Sequence, residues 1–172
     1  MLDFLKKIFG TKSEKDIKNL EAKVEEINSI YNSLSSLSND ELREKTKQLR
    51  QNIQQSAKIQ LEKISSIKSR IESELEMDVN NKENLFKEID DIEKEITEVF
   101  ENSLNENLAE AFAILKETAR RFKENSELEV TANDFDHHIS QNQKNVEIRG
   151  NKAFYKNKWM AAGSEITWDM VH

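Results

Sequence analysis

The 172-residue chain has no cysteine, no proline and only three glycines. Without cysteine it can form neither a disulfide nor a thiolate metal site, which is compatible with a reducing compartment. Without proline, no residue imposes a break inside a helix. The glycines, Gly10, Gly150 and Gly163, are too scattered to build a GxxxxGK[ST] loop, whose backbone amides cradle a triphosphate. No GxSxG occurs either, and the serines fall mainly on helix surfaces and turns, so a nucleophilic hydrolase triad has no support. No run approaches the roughly 20 apolar residues that cross a bilayer. The start carries Asp3 and lacks a sustained apolar stretch with a cleavage site, so the chain reads as neither membrane-spanning nor exported. With a formal net charge of -7 there is no broad attraction to nucleic-acid phosphates, and nucleic acid is not an expected partner.

What is present is helix-forming. Hydrophobic residues make up 36% of the chain and charged residues 34%, which predicts a thin core and long helices rich in Glu, Lys, Leu and Ile. Residues 1–12 place Leu2, Phe4, Leu5, Ile8 and Phe9 beside Lys6, Lys7 and Lys12. As a helix this gives an apolar side flanked by cations, which fits an interfacial membrane anchor or a helix docked on the rest of the protein. Ile17, Leu20, Val24, Ile27, Tyr31 and Leu34 then follow the alternating three and four spacing of one helix face. Ser38 and Glu41 have the spacing of a capping box that opens a new helix, LSNDELREKTKQLR.

Two further stripes, Ile64, Ile67, Ile71 and Leu75, then Leu85, Ile89, Ile92, Ile96 and Val99, predict a helical hairpin. Its turn is expected between Asp78 and Asn84, where Asn80, Asn81 and Asn84 compete with helical backbone bonds. Leu108, Phe112, Leu115, Ala119 and Phe122 repeat the spacing and read as the most core-like helix, with Ala109, Ala111 and Ala113 allowing close approach. Charged runs such as Glu93, Lys94 and Glu95 read as solvated helix surface.

After Phe122 strand formers enter: Val130, Val146, Ile148, Phe154, Tyr155 and Trp159. Arg149, Gly150, Asn151 and Lys152 lie between two alternating runs, the pattern of a β-hairpin. Asp134, Asp136, His137 and His138 are the one local group of potential metal ligands. Adjacent histidines on a strand would point to opposite faces, so this group reads as solvated surface and no metal site is assigned. No catalytic residue is assigned. The predicted fold is mainly α, with long helices, a helical hairpin and a small β-hairpin near the C-terminus.

Three stretches together resemble the N-terminal region of the SecA family, the motors that drive unfolded preproteins through the bacterial SecY channel. They are MLDFLKKIFGTKSEKDIKNL, LSNDELREKTKQLR, similar to the family's LSDEELRxKTxxFR, and LNENLAEAFAILKETARR, similar to its EAFAxVREAxxR helix. On this resemblance 1–12 is an amphipathic N-terminal helix, 13–52 comprises SecA-like N-terminal helices and 104–122 is a SecA-like helix. Residues 53–103 form an inserted helical hairpin, and 123–167 an inserted segment with a β-hairpin, as in an enlarged variant of the family.

The closing WDMVH resembles the stretch that precedes the family's adenine-recognition motif. Residues 168–172 would then be the truncated start of a RecA-like, DEAD-type α/β nucleotide-binding domain. Met170 would lie beside the adenine ring, although a core methionine is an equal alternative.

The resemblance implies a parent that uses ATP and magnesium to move preproteins through the SecYEG channel, and implies that this piece alone is inactive. It further implies peripheral attachment at the cytoplasmic face of the inner membrane. Leu2, Phe4, Leu5, Lys6, Lys7, Ile8 and Phe9 would contact anionic phospholipids and the channel. Periodicity by itself also permits a free-standing helical coiled-coil interaction protein, for instance a homodimer.

Overall fold

A computed structural model describes residues 12–169, and side chains from residue 14 onward. The membrane-contact candidates Leu2 to Phe9 and the adenine-contact candidate Met170 lie outside the described residues. The described chain is mainly helical with a small antiparallel β region. Its helices are α1 (Lys12–Leu34), α2 (Asn39–Ser56), α3 (Lys58–Ser73), α4 (Val79–Glu124) and α5 (Asp134–Ser140). Its strands are β1 (Glu127–Thr131), β2 (Val146–Arg149), β3 (Lys152–Lys156), β4 (Lys158–Ala161) and β5 (Ser164–Thr167). The chain divides into two compact units, one of residues 1–46 and 109–172 and the other of residues 47–108.

In the second unit, α3 and the first part of α4 meet along isoleucines. Ile64, Ile89 and Ile92 are buried, with Ile67, Ile71 and Ile96 packed around them. The sequence placed the turn between Asp78 and Asn84 and carried the α3 stripe on to Leu75, and both readings are corrected. The turn is residues 74–78, and Leu75 is 93% exposed beyond the end of α3. Asp78 accepts hydrogen bonds from the backbone N–H groups of Asn80 and Asn81, at 3.1 and 3.4 Å. The short polar residues therefore open α4 instead of interrupting it, the usual role of Asp and Asn at a helix start. With neither proline nor glycine inside it, α4 then continues for 46 residues, about 70 Å.

The first unit has its core at Leu34, Leu42, Ala113 and Ile114, bordered by Ile27, Ile30, Tyr31 and Leu37. Here the face of α4 differs in part from expectation, with Ala119 of the expected stripe and the close-approach alanines Ala109 and Ala113 buried but its larger side chains not. Phe112 is 50% exposed and Leu115 60%, whereas Ala109, Ala113, Glu117 and Arg121 are buried, a row of i, i+4 steps. Two alanines let neighbouring backbone come close, and that selects the alanine row over the bulkier stripe one position away.

Strands β1, β3 and β2 form an antiparallel sheet in that order, with Glu127 opposite Lys156 and Val146 opposite Tyr155. Leu128, Val130, Val146 and Ala153 are its buried residues. The turn expected between Arg149 and Lys152 is present: Gly150 has φ 62, a conformation open to glycine at little cost. Strands β4 and β5 form a separate two-stranded sheet.

Candidate functional site

The two stretches that carry the family resemblance in the described residues meet in the first unit, and nearly every distinctive letter has a structural partner. The Ser38 hydroxyl accepts from the Glu41 N–H at 3.2 Å, and the Glu41 carboxylate accepts from the Ser38 N–H at 2.7 Å. This is the capping box expected from sequence, and it starts α2. Leu42 enters the core. Asn39, Asp40 and Arg43 then reach the β region. Asn39 donates to the Glu129 carbonyl at 3.0 Å, and Asp40 accepts from both the backbone and the hydroxyl of Thr131 at 2.8 and 2.7 Å. Burial alone would raise the Asp40 carboxyl, but the two Thr131 bonds and the nearby Lys152 and Arg43 outweigh it and hold the group below its ordinary range.

Arg43 ends on Asp136, which is fully buried. The guanidinium forks onto both carboxylate oxygens, with Nη1 to Oδ2 at 2.9 Å and Nη2 to Oδ1. Asp136 also accepts from the Tyr155 hydroxyl and from the Asn133 N–H, the latter at 2.9 Å. Asn133 in turn accepts from the Asp136 N–H at 3.1 Å, so the carboxylate is half of a capping box for α5. Burial pushes the Asp136 carboxyl up, yet the bonds from Arg43, Tyr155 and Asn133 bring it below its usual value. For Tyr155, burial first and the bond to Asp136 second push the phenol above its ordinary value.

The solvated-surface reading holds for Asp134, His137 and His138, which are exposed, and is corrected for Asp136. The segment is a helix, not a strand, and Asp136 is a buried junction between α2, α5 and β3. Among the described residues, no group of three or more His, Cys, Asp or Glu side chains is placed to hold a metal ion.

A second junction lies on α4. Glu117, also fully buried, accepts from Arg120 Nε and Nη2 at 2.9 and 2.7 Å and from Arg121 Nε at 2.7 Å. The Arg120 bonds, opposed by burial and aided by Arg121, hold the Glu117 carboxyl below its ordinary range. Arg121 uses its remaining donors on Asn39 Oδ1 at 2.8 Å and on the carbonyls of Leu34 and Leu37 at 3.2 and 2.6 Å. Leu34 ends α1 and Leu37 lies in the turn after it, so one guanidinium binds the end of α1, the turn and the start of α2 together. Lys45 pairs with Glu110 at 3.0 Å, and Lys116 reaches Asn28 at 2.8 Å and lies over the Tyr31 ring. Among the described residues, no buried side-chain nitrogen or oxygen lacks a partner.

These groups are mutually satisfied, and none is a nucleophile set beside a base. The beginning of α2, Arg121, Asn125, Glu127 to Glu129 and Lys152 border an open polar cleft of about 590 Å³, in which Lys152 pairs with Glu129, while Arg121 is held by Glu117, Glu127 by Arg149 and Asp40 by Thr131. The arrangement is a joint between helices and sheet. Sequence reasoning missed Arg43, Asp136, Tyr155, Glu117 and Arg121 as partners. The available signal was Glu117 with Arg120 and Arg121 at three and four positions, the spacing of a helical ion pair.

The fold is a mainly helical region joined to a small antiparallel sheet, and comparison with known proteins specifies its family. The SecA DEAD-like domain family matches residues 5–138. The chain is 42% identical over 170 residues to the protein translocase subunit SecA of Parabacteroides distasonis and 43% identical over 170 residues to that of Flavobacterium psychrophilum. It is 41% identical over 172 residues to that of Amoebophilus asiaticus. These alignments cover 99 to 100% of this chain and 15% of each relative. The chain belongs to the SecA family and corresponds to an N-terminal SecA region. No solved structure matches it.

Proposed function

We propose that this region attaches a SecA motor to the anionic membrane surface and the SecYEG channel and forms the edge of the motor domain. Membership of the SecA family, joined to the apolar and basic start, carries this reading. Lys6 and Lys7 would lie near anionic headgroups while Leu2, Phe4, Leu5, Ile8 and Phe9 enter the acyl boundary. Among the described residues no helix is long and apolar enough to cross a membrane.

The whole motor would hydrolyse ATP with magnesium and pass preproteins through the channel. The glycines of this region, Gly10, Gly150 and Gly163, are too scattered for a GxxxxGK[ST] phosphate loop. In this reading the phosphate-binding loop lies in the rest of the polypeptide. In this reading residues 53–103 and 123–167 are additions of an enlarged variant, 168–172 opens the RecA-like domain, and Met170 contacts adenine.

The test is co-sedimentation of the full-length protein with vesicles containing anionic lipid. Replacing Lys6→Glu together with Lys7→Glu lowers binding by about tenfold or more, since each basic residue near such a surface is worth about 1 kcal/mol. Unchanged binding refutes the attachment role.

A further inference from the structure

The β4–β5 hairpin lies past the residues matched by the SecA DEAD-like family, yet within the alignment to the SecA relatives. Its register sorts its side chains cleanly. Trp159 is opposite Ile166 and Ala161 opposite Ser164, while Lys158 faces Thr167 and Met160 faces Glu165. Opposed residues share a face, and positions two apart share one as well. One face thus carries Trp159 and Ile166, with Trp168 continuing it. The Trp159 and Trp168 ring centroids are 5.9 Å apart at an interplanar angle of 50°. The other face is polar apart from Met160 and is spanned by the Lys158 to Glu165 ion pair at 3.0 Å.

The apolar face is not buried by the described residues. Trp159 remains 37% exposed and Ile166 40%. An isolated two-stranded hairpin is marginal in water, and this one also places Ala162 at φ 48 in its turn, beside Gly163 at φ 82. Its base, in contrast, is fixed. Asn157, the single residue between β3 and β4, donates to the carbonyls of Phe122 and Ser126 at 3.1 and 3.0 Å and accepts from the Trp168 N–H at 2.8 Å. The chain therefore leaves β5 tied to the sheet, beside its own tryptophan face.

We propose that the Trp159–Ile166 face is a docking surface for the polypeptide that follows this region in SecA proteins. Three observations favour that occupant. The relatives extend far beyond the 15% aligned here. The outgoing chain leaves from the same edge of the hairpin, which gives the following residues a high effective concentration at this face. Tryptophan with an aliphatic neighbour is the composition of a buried anchor, needing an apolar surface with an acceptor for the indole N–H. The inference rests on family membership and not on the membrane role proposed above.

A benzophenone side chain in place of Ile166 in the full-length protein tests it, with the same substitution at Met160 on the opposite face as control. Cross-linking from position 166 within the same molecule to residues beyond 172, at least fivefold above position 160, is the expected result. Cross-links to a second copy, to lipid or to a preprotein, or equal yields from the two faces, overturn the proposal. Amide exchange of the unsubstituted protein guards against a variant that merely disturbs the hairpin. The amides of Trp159 and Ile166 exchange at least tenfold more slowly in the full-length protein than in the 172-residue chain if the face is docked, and equally fast if it is not.

Discussion

Arg121 of α4 and Asn39 at the start of α2, 82 positions apart, are joined by a 2.8 Å hydrogen bond from Nη1 to Oδ1. The same guanidinium closes the end of α1 and neutralises buried Glu117. Removing it takes a donor from the Leu34 and Leu37 carbonyls, of which Leu34 keeps the Leu37 N–H, and loses an ion pair. Arg121→Met is expected to cost about 2 to 4 kcal/mol in a urea melt. Arg121→Lys recovers only part of that loss, because an ammonium cannot span the same fork of acceptors.

Acid should loosen the joint. Asp136 and Glu117 both have carboxyls held below their ordinary values in the folded chain. A carboxyl lowered by folding contributes stability that is fully present above its unfolded value, near pH 4, and is lost as pH falls through the folded value. Urea midpoints measured from pH 7 down to pH 3 are expected to hold at first and then drop below about pH 4. Asp136→Asn flattens part of that drop.

The capping box allows a local test. Ser38→Ala removes the acceptor for the Glu41 N–H and is expected to cost about 1 kcal/mol, while Ser38→Asp retains most of the cap. Thermal unfolding of the two variants side by side checks this.

The hairpin turn gives a substitution of opposite sign. Ala162 holds φ 48, where an L side chain is crowded, so Ala162→Gly is expected to stabilise the β4–β5 turn by up to about 1 kcal/mol. Gly150→Ala, at φ 62, is expected to weaken the β2–β3 turn by a similar amount. Amide exchange across each hairpin reads both effects.

The helices of this chain were legible because their signals are local. The Ser38–Glu41 spacing marked a helix start, isoleucines three and four apart marked a packed seam, and Arg149 to Lys152 marked a turn. What was not legible depended on partners distant in sequence. Phe112 and Ala113 differ by one position, and which of them faces the core is decided by how closely other helices approach. Asp136 resembled a surface acid until Arg43 and Tyr155, 93 and 19 positions away, were placed against it. Asn80 and Asn81 suited either a turn or a helix start, and Asp78 selected the latter.

The central structural claim is that residues carrying the SecA resemblance hold helices and sheet together, and a double-mutant cycle on Arg43 and Asp136 tests it most directly. Stabilities of the unsubstituted chain, Arg43→Met, Asp136→Asn and the double variant are measured by urea unfolding at pH 7. A coupling of about 1.5 to 3 kcal/mol is expected for a forked charge pair with one fully buried partner. Additive losses, with coupling near zero, would contradict the joint and leave Arg43 as ordinary helix surface.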